Sequence, residues 1–561
     1  MAFAKGPRYR LENEGNMAVQ RMGNRQSGWR PTRRLLLGAA VVGGAVLWGG
    51  NTIARLMRSP SSAKDAGRIA DVDGHALPLQ PLENAPSHDA GLTWLTKGGT
   101  VNDASGLSRT PIYGMVEVGS EKDVAEALSF ARANGLKVSM AAVRHSMGGH
   151  AFDDNAVVLD MRNFNAVSVD ATAKTMTVQP GATWHDIQNI LHPRFAVKAM
   201  QSTDIFSVGG SLSVNAHGMD HQAGSVAGSI RSLRVMLADG SVLRCSASEN
   251  ADLFRHVVGG YGLFGVVLEA TLDIVDNAVY RTSREIIKSE EFPRFFSEVL
   301  EPNREIGLFY GHLSTAPGNF LEDMIVYRYE KVAEQPPGDQ PPIGEPGAVG
   351  VKRLIMNLAK WGAPFQEVKW FTEKTLEPRF ESCTVARTAA MGEGEACLVT
   401  RNNPMHDSVP YLFNDLAGET DILHEYFVPR AAYNAYVAEV RTILRNQPLP
   451  VLNASVRVVH KEDIALNYAP QPAFSLVLYI NQPTSEEGSA QMRQLTRALI
   501  DVTIQYGGRF FLPYQLHYTG AQLLASYPEL PLFLVRKRSY DPDELFSSTF
   551  YRALKALSPT T

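Results

Sequence analysis

Two stretches rich in glycine and serine constrain this chain more than any other feature. One is Ala141-Ala-Val-Arg-His-Ser-Met-Gly-Gly149. The other runs from Gln201-Ser-Thr203 through Ser207-Val-Gly-Gly-Ser-Leu-Ser-Val-Asn-Ala-His-Gly218. Glycine weakens a helix or strand interior by roughly 0.5–1 kcal/mol relative to alanine, and it serves where a backbone turns tightly or lies close to something else. Successive amide N–H groups in such turns form anion-binding concavities, and serine and threonine hydroxyls add donors. Each stretch leaves a strand-like run. The residues by themselves allow two readings: a pair of tight connections, or a two-loop cradle for a diphosphate that does without a helix dipole.

The surrounding pattern is mixed. Ile112–Val118 predicts a strand. Ser120-Glu-Lys-Asp123 resembles a capping box with Asp in place of Glu. Val124, Ala127, Leu128 and Ala131 then recur at helical spacing until Asn134-Gly135 ends the helix. Lys137–Val143 predicts the second strand of a β-α-β unit, and Ala156–Met161 a third. Val167–Asp170 and Thr175–Gln179 predict a hairpin, and Thr183 caps a short helix. Asp239-Gly240 turns a further hairpin between Leu233–Ala238 and Ser241–Cys245. Asn250–Val258 predicts a helix and Val266–Val275 a long strand. From about residue 277 a second α+β region begins, with an exposed Pro-rich insert, EQPPGDQPPIGEPG. Phe474–Ile480 predicts a strand within it.

Gly260-Tyr-Gly262-Leu-Phe-Gly265 matches the spacing of a dinucleotide fingerprint. That fingerprint needs a strand before it and a helix after it, so that the pyrophosphate meets the helix N-terminus. Here the predicted order is reversed, and the match is discounted.

Taken in order, the motifs resemble the PCMH-type (vanillyl-alcohol oxidase) superfamily of FAD-binding oxidoreductases. They are R-H-S-M-G-G, then V-V-L-D-M, V-G-G-S-L-S-V-N-A-H-G, the A-D-G hairpin, G-G-Y-G-L-F-G-V-V and the tail R-K-R-S-Y-D-P-D-E-L-F. The resemblance implies an α+β chain. A two-subdomain FAD-binding domain spans 105–276 and an α+β substrate domain spans 277–499. A C-terminal segment, 500–561, returns to the FAD domain. The loop Arg144, His145, Ser146, Met147, Gly148 and Gly149 resembles that of cytokinin dehydrogenases and alditol oxidases, in which the histidine is bonded covalently to the flavin. Arg144 stands where those families usually have Gly. The second loop resembles decaprenylphosphoryl-ribose oxidase and the aldonolactone oxidases. That likeness implies that Ser202, Thr203, Ser207, Gly209, Gly210, Asn215 and His217 line the flavin, with Gly265 and Val266 from the following turn.

The same resemblance implies candidate catalytic residues in the second region. Arg457 lies in Ala454-Ser-Val-Arg457, similar to an alditol oxidase segment, although Ser455 replaces that family's Glu. Tyr514 lies in Phe510-Phe-Leu-Pro-Tyr-Gln, similar to the cytokinin dehydrogenase tail and lacking the Lys of the lactone oxidases. Glu425, in His424-Glu-Tyr-Phe427, is a candidate base. His217 and His221 have i, i+4 spacing, but without a predicted helix to carry them no metal site is assigned.

Residues 1–34 are strongly basic, and Leu35–Ile53 is an uncharged run of 19 residues. It approaches the length needed to span a bilayer, with the basic flank cytoplasmic. It is either an uncleaved anchor or part of a twin-arginine export signal built on Thr32–Leu37. Either places the body on the extracytoplasmic (periplasmic) side, with the membrane as a partner and 54–104 as linker. Apolar residues over 350–375 (Leu354, Leu358, Trp361, Phe365, Trp370, Phe371) form either a helix buried against the domain or an interfacial helix.

A net charge of −4 gives no nucleic-acid footprint. Cys245, Cys383 and Cys397 form no zinc spacing and are expected as free thiols, a Cys383–Cys397 bridge being the alternative. The expected activity is oxidation of a CH–OH group in a sugar-, lactone- or alcohol-like small molecule by hydride transfer to FAD, with oxygen, a quinone or a cytochrome as electron acceptor. A D-arabinono-1,4-lactone-type oxidase is the narrower alternative. A membrane-tethered flavin-binding scaffold without turnover is the alternative from another class.

Overall fold

The Ser120 signal starts a helix as its chemistry requires. In the computed structural model, which describes residues 50–58, 91–335, 343, 349–375, 397–406, 414 and 416–558, Ser120 Oγ accepts the Asp123 amide at the head of the helix Glu121–Ala133. Asp123 reaches back to the Gly119 amide and the Ser120 hydroxyl. The helix buries Val124, Ala127, Leu128, Phe130 and Ala131. These share one buried cluster with Val157 and Leu159 and with Met236, Val266 and Leu268. Each fully buried aliphatic side chain contributes about 1.5–3 kcal/mol, so this cluster ties the helix to residues of two sheets.

The first sheet has the order Trp94–Lys97, Gly114–Glu117, Val157–Asp160, Val138–Ala141, and its last three strands are parallel. The second is antiparallel: Val242–Cys245, Ile230–Met236, Val266–Asp276, Thr175–Val178, Val167–Asp170, with Phe195–Val197 also paired to Val266–Asp276. In Val266–Asp276 buried and half-buried residues alternate, the period-2 signature of a strand with one face in the core. The helix Ala251–Val257 precedes Gly260–Gly265 and a strand follows, so the glycines do not open a helix. Gly265 instead allows close packing: a Cβ there would lie 2.5 Å from Val235 Cγ1 and 2.7 Å from the Met236 carbonyl oxygen.

Thr100–Val101 and Thr110–Pro111 pair as a small two-stranded sheet, and the remaining strands form one eight-stranded antiparallel sheet. Its order is Cys397–Thr400, Val279–Lys288, Asp323–Lys331, Ile306–Leu313, Val451–Val459, Ala473–Pro483, Glu419–Pro429, Arg509–Phe510. The helices Tyr433–Arg445 and Glu486–Gln505 pack together, joined by the Tyr436–Thr503 hydroxyl contact at 3.1 Å. The tail then crosses back. Pro513 O accepts the Met147 amide at 2.9 Å, and Leu512 O accepts from His150 Nε2 at 2.8 Å. Leu545 O accepts the Val138 amide, and Val138 O accepts the Ser547 amide. The turn that delivers this segment is fixed by a buried ion pair between Lys537 and Asp541, 0 % and 1 % exposed. Asp541 also accepts the Leu545 and Phe546 amides.

Several sequence expectations are corrected. Trp94–Lys97 and Thr100–Val101 are strands inside the stretch read as linker; Gly98-Gly99 between them hides their short pattern. The 499/500 boundary falls inside the helix Glu486–Gln505. The second glycine-rich loop contains a seven-residue helix, Val208–Val214, capped by Ser207. Two helices, Val349–Ala359 and Ala363–Thr375, replace a single helix over 350–375. Trp370 is buried, whereas Trp361 and Phe371 are 47 % and 54 % exposed, so neither reading covers the whole segment. Of the apolar run Leu35–Ile53, residues 35–49 lie outside the described residues, and the run's end enters the helix Gly50–Met57. Among the described residues no helix is long and apolar enough to cross a membrane. Cys383 and most of the Pro-rich insert also lie outside them. Cys245 is a buried free thiol, and burial pushes its pKa up to about 12.

Asp541→Ala leaves the Lys537 ammonium buried and unpaired. It is expected to cost about 3–5 kcal/mol, read as a lower urea midpoint and earlier proteolysis of the tail. Gly148→Ala places a Cβ 2.5 Å from the Tyr514 carbonyl oxygen. An overpacking cost of about 1–3 kcal/mol is expected. Gly119→Ala, whose Cβ would meet nothing nearer than 3.8 Å, is expected to leave the midpoint within about 0.5 kcal/mol of the unmodified chain.

Candidate active site

The first loop opens on a strained residue. Arg144 has φ 56°, in the left-handed region where glycine is favoured. Glycine would take this conformation without strain; this chain accepts the strain, and the Arg144 carbonyl takes the Ala104 amide. His145 donates from Nδ1 to the Val143 carbonyl at 2.7 Å. Burial lowers its pKa to about 4, and the neighbouring Arg144 charge acts in the same direction, so the ring is neutral at pH 7. The His145 ring meets the edge of Phe206, centroids 5.2 Å apart. The two glycine-rich loops therefore converge.

Several of the loop amides already have partners. Gly149 donates to Asp103 Oδ2 at 2.9 Å and Met147 to Pro513 O, while Met147 Sδ takes the Leu423 amide at 3.4 Å. In the second loop Gly209 donates to Pro180 O, and Gly210 to the Ser207 hydroxyl. These four residues shape the loops through backbone packing, with Gly148 against the Tyr514 carbonyl. Ser146 and Ser202 lie half-buried at the loop edges. Asn215 ends the helix in the left-handed conformation that asparagine tolerates. Its side chain accepts the Ala227 amide, and its carbonyl accepts the Tyr468 hydroxyl. A Cβ on Gly218 would sit 1.9 Å from the Met200 carbonyl oxygen, so glycine lets the loop ends close. Val266 is a core residue beside Met236.

The second loop delivers His217 to the eight-stranded sheet. His217 Nε2 lies 2.6 Å from Glu425 Oε1, both side chains 5 % exposed. Ser475 donates to the same oxygen, and the Tyr514 hydroxyl lies 3.4 Å from Oε2. Burial alone would raise the Glu425 pKa, but His217, the Ser475 hydroxyl and the Arg457 charge outweigh it and hold the carboxyl below its ordinary value. Burial raises the Tyr514 phenol well above its ordinary value, and the Glu425 charge adds to this, so it stays a donor. Arg457, on the strand Val451–Val459, stacks over Tyr310 at 5.3 Å, and Tyr310 stacks on Tyr327 at 4.7 Å. Burial lowers the Arg457 pKa, with Tyr310 and Glu425 opposing. Phe427, Tyr468 and Phe511 wall the His217 ring at 5.6–6.2 Å.

Glu425, Arg457, Tyr514 and His217, expected from separate motifs, are thus one cluster. Sequence reasoning missed Ser475, Tyr310 and Tyr468, which carry no motif. His221 does not join His217: it packs between Phe296 and Phe309. Thr203 Oγ1, Asn215 Nδ2, His217 Nδ1 and Arg457 Nη1 are buried without a hydrogen-bond partner among the described residues. Each such atom costs about 1–3 kcal/mol, and a polar ligand between the two loops and the sheet would satisfy them. The residues fit a flavin in this respect.

Residues 112–246 match the family model described as an FAD binding domain. Decaprenylphosphoryl-beta-D-ribose oxidase of Mycolicibacterium smegmatis is 23 % identical over 446 residues, covering 76 % of this chain and 91 % of that protein. An uncharacterized oxidoreductase from the fasciation locus of Rhodococcoides fascians is 36 % identical over 153 residues, 27 % of this chain and 34 % of its own length. L-gulonolactone oxidase of Mus musculus is 31 % identical over 175 residues, 30 % and 38 % of the two chains. The chain thus spans about a third of the latter two and most of the first. With the convergent loops and the buried cluster, these matches show a PCMH-type FAD-binding domain over residues 112–246, in a chain similar to FAD-dependent oxidoreductases.

Proposed function

We propose that the chain oxidises a CH–OH group of a sugar-, lactone- or alcohol-like substrate. The observation that carries this reading is the His217–Glu425 pair, buried beside Arg457. Alcohol oxidation removes a hydride from carbon and a proton from oxygen; FAD, when bound, supplies the two-electron acceptor. This chain's residues handle the proton. With Nε2–H given to Glu425, the His217 lone pair is on Nδ1, which has no other partner among the described residues. That atom accepts the hydroxyl proton, and Glu425 stabilises the imidazolium that forms. Arg457 offers a donor to a substrate oxygen, and Tyr514 fixes the other carboxylate oxygen of Glu425. The sugar and lactone oxidases among the relatives support the substrate class.

On this reading His145 is the residue that would hold the flavin covalently: with Nδ1–H given to the Val143 carbonyl, its neutral imidazole keeps a lone pair on Nε2. The run Leu35–Ile53 and its basic flank hold the body at the outer face of a membrane or direct its export.

Purified protein is expected to be yellow, to keep its flavin on acid precipitation, and to bleach anaerobically with a sugar, polyol or lactone. Reoxidation with oxygen, a quinone or a cytochrome identifies the acceptor. Glu425→Gln and His217→Asn are expected to lower kcat/KM by about 10²–10⁴-fold with flavin content unchanged. His145→Ala is expected to release flavin into the acid supernatant. A colourless folded protein, or a His217→Asn variant that reduces its flavin at the unmodified rate, defeats the proposal.

A further inference from the structure

We propose that His185, Asp204 and His406 form a binding site for one divalent transition-metal ion of the zinc type, separate from the Glu425 cluster. His185 stands in the first turn of the helix Trp184–Leu191, Asp204 in the second glycine-rich loop, and His406 at the end of the short helix Asn403–His406. His185 Nδ1 lies 3.0 Å and His406 Nδ1 2.5 Å from the same oxygen, Asp204 Oδ2. One ligand atom from each residue falls within 4.8 Å of the other two. A tetrahedral ion with bonds of about 2.0–2.2 Å keeps its ligand atoms roughly 3.3–3.6 Å apart, so shifts of about 1 Å or less would open the trio around one.

Three features favour an ion over a chance cluster. Asp204 is fully buried, and its second oxygen, Oδ1, has no hydrogen-bond partner among the described residues. The imidazole rings stack, centroids 5.1 Å apart and 27° between planes, so that both Nδ1 atoms converge on one side. The His185 side chain is 22 % exposed, which gives an ion a path in and leaves room for water as a fourth ligand. Two imidazole nitrogens and one carboxylate oxygen, without sulfur, suit zinc, cobalt or nickel better than calcium or copper(I).

The site would act as a brace. The His185 and Trp184 amides already donate to the Asp204 and Phe206 carbonyls. Arg401 and Asn402, just before His406, reach Lys198 O and Phe195 O. A metal would lock the helix, the loop that carries Thr203 and Phe206, and the 397–406 segment into one unit. Without metal, the same three residues form a carboxylate accepting two imidazole N–H groups. Burial raises the Asp204 pKa, and those two bonds more than offset it.

The test uses full-length protein purified without a histidine tag. After chelation, Zn²⁺ binding is measured by equilibrium dialysis with mass-spectrometric metal analysis, and Co²⁺ is added to read its visible ligand-field bands above the flavin absorption. One ion per chain is expected, with tetrahedral-type cobalt bands, and affinity reduced ~10-fold or more in His185→Asn and in His406→Asn. His185→Asn alters the solvent edge of the site, and circular dichroism confirms that it folds. Substoichiometric zinc in folded unmodified protein, or variants that bind as tightly as the unmodified chain, overturns the proposal in favour of the metal-free hydrogen-bonded triad.

Discussion

The contact between His217 and Glu425 joins residues 208 positions apart and belongs to neither lobe alone. A buried carboxylate carries a large desolvation penalty unless its oxygens are satisfied. Glu425 is satisfied only when the second glycine-rich loop presents His217, the strand Ala473–Pro483 presents Ser475, and the tail presents Tyr514. Three separate chain segments must be in place before one charge is stable. The lobes are therefore registered against each other at the point where chemistry is proposed, and an error in tail docking or loop closure reaches this carboxylate directly.

The glycine-rich loops contribute shape as much as donors. Amides of Met147, Gly149, Gly209 and Gly210 are committed to protein acceptors. Missing side chains do the rest: Gly148 lets the tail pass, and Gly218 lets the second loop fold back on Met200. A ligand between the loops would meet a surface preset by the backbone and the His145–Phe206 contact, at little conformational cost on binding.

How much of this was legible in sequence follows from the range of each signal. The helix Glu121–Ala133 announced itself through Ser120, Asp123 and a 3.6-residue period, all local. The helix Val208–Val214 did not, because two glycines and two valines lower its propensity; only the Ser207 cap betrays it, and the helix is held by its packing. Arg144 conceals a left-handed residue that Gly would have advertised. Glu425, Arg457 and Tyr514 were reachable through motifs, but their common carboxylate was not, since strand register decides it: Phe427 opposes Ser475, and Arg457 opposes Ser475 from the other side. His185, Asp204 and His406 are separated by 19 and 202 positions, beyond any spacing rule.

Strand periodicity carries the argument along the sheet. Successive side chains alternate faces, so Glu419, Asp421, Leu423 and Glu425 share one face, as do Tyr310 and His312 on the strand Ile306–Leu313. The helical pair Val349–Ala359 and Ala363–Thr375 is anchored on this face. Lys360 meets Glu419 at 2.6 Å and Asp421 at 3.1 Å; Glu373 bridges Lys369 at 2.5 Å and His312 at 3.2 Å. Burial would raise the Glu373 pKa, yet its neighbours, Lys369 foremost, bring it down to about 2, so the carboxylate stays ionised opposite the Lys369 ammonium. Buried pairs of this kind fix geometry more than they add net stability. Asp421 and Glu425 are four residues apart on an extended strand, roughly 13 Å at about 3.3 Å per residue. The reacting end of the face is thus bounded by His217 and the tail, and its far end by ionic anchors that hold the helices at a set distance.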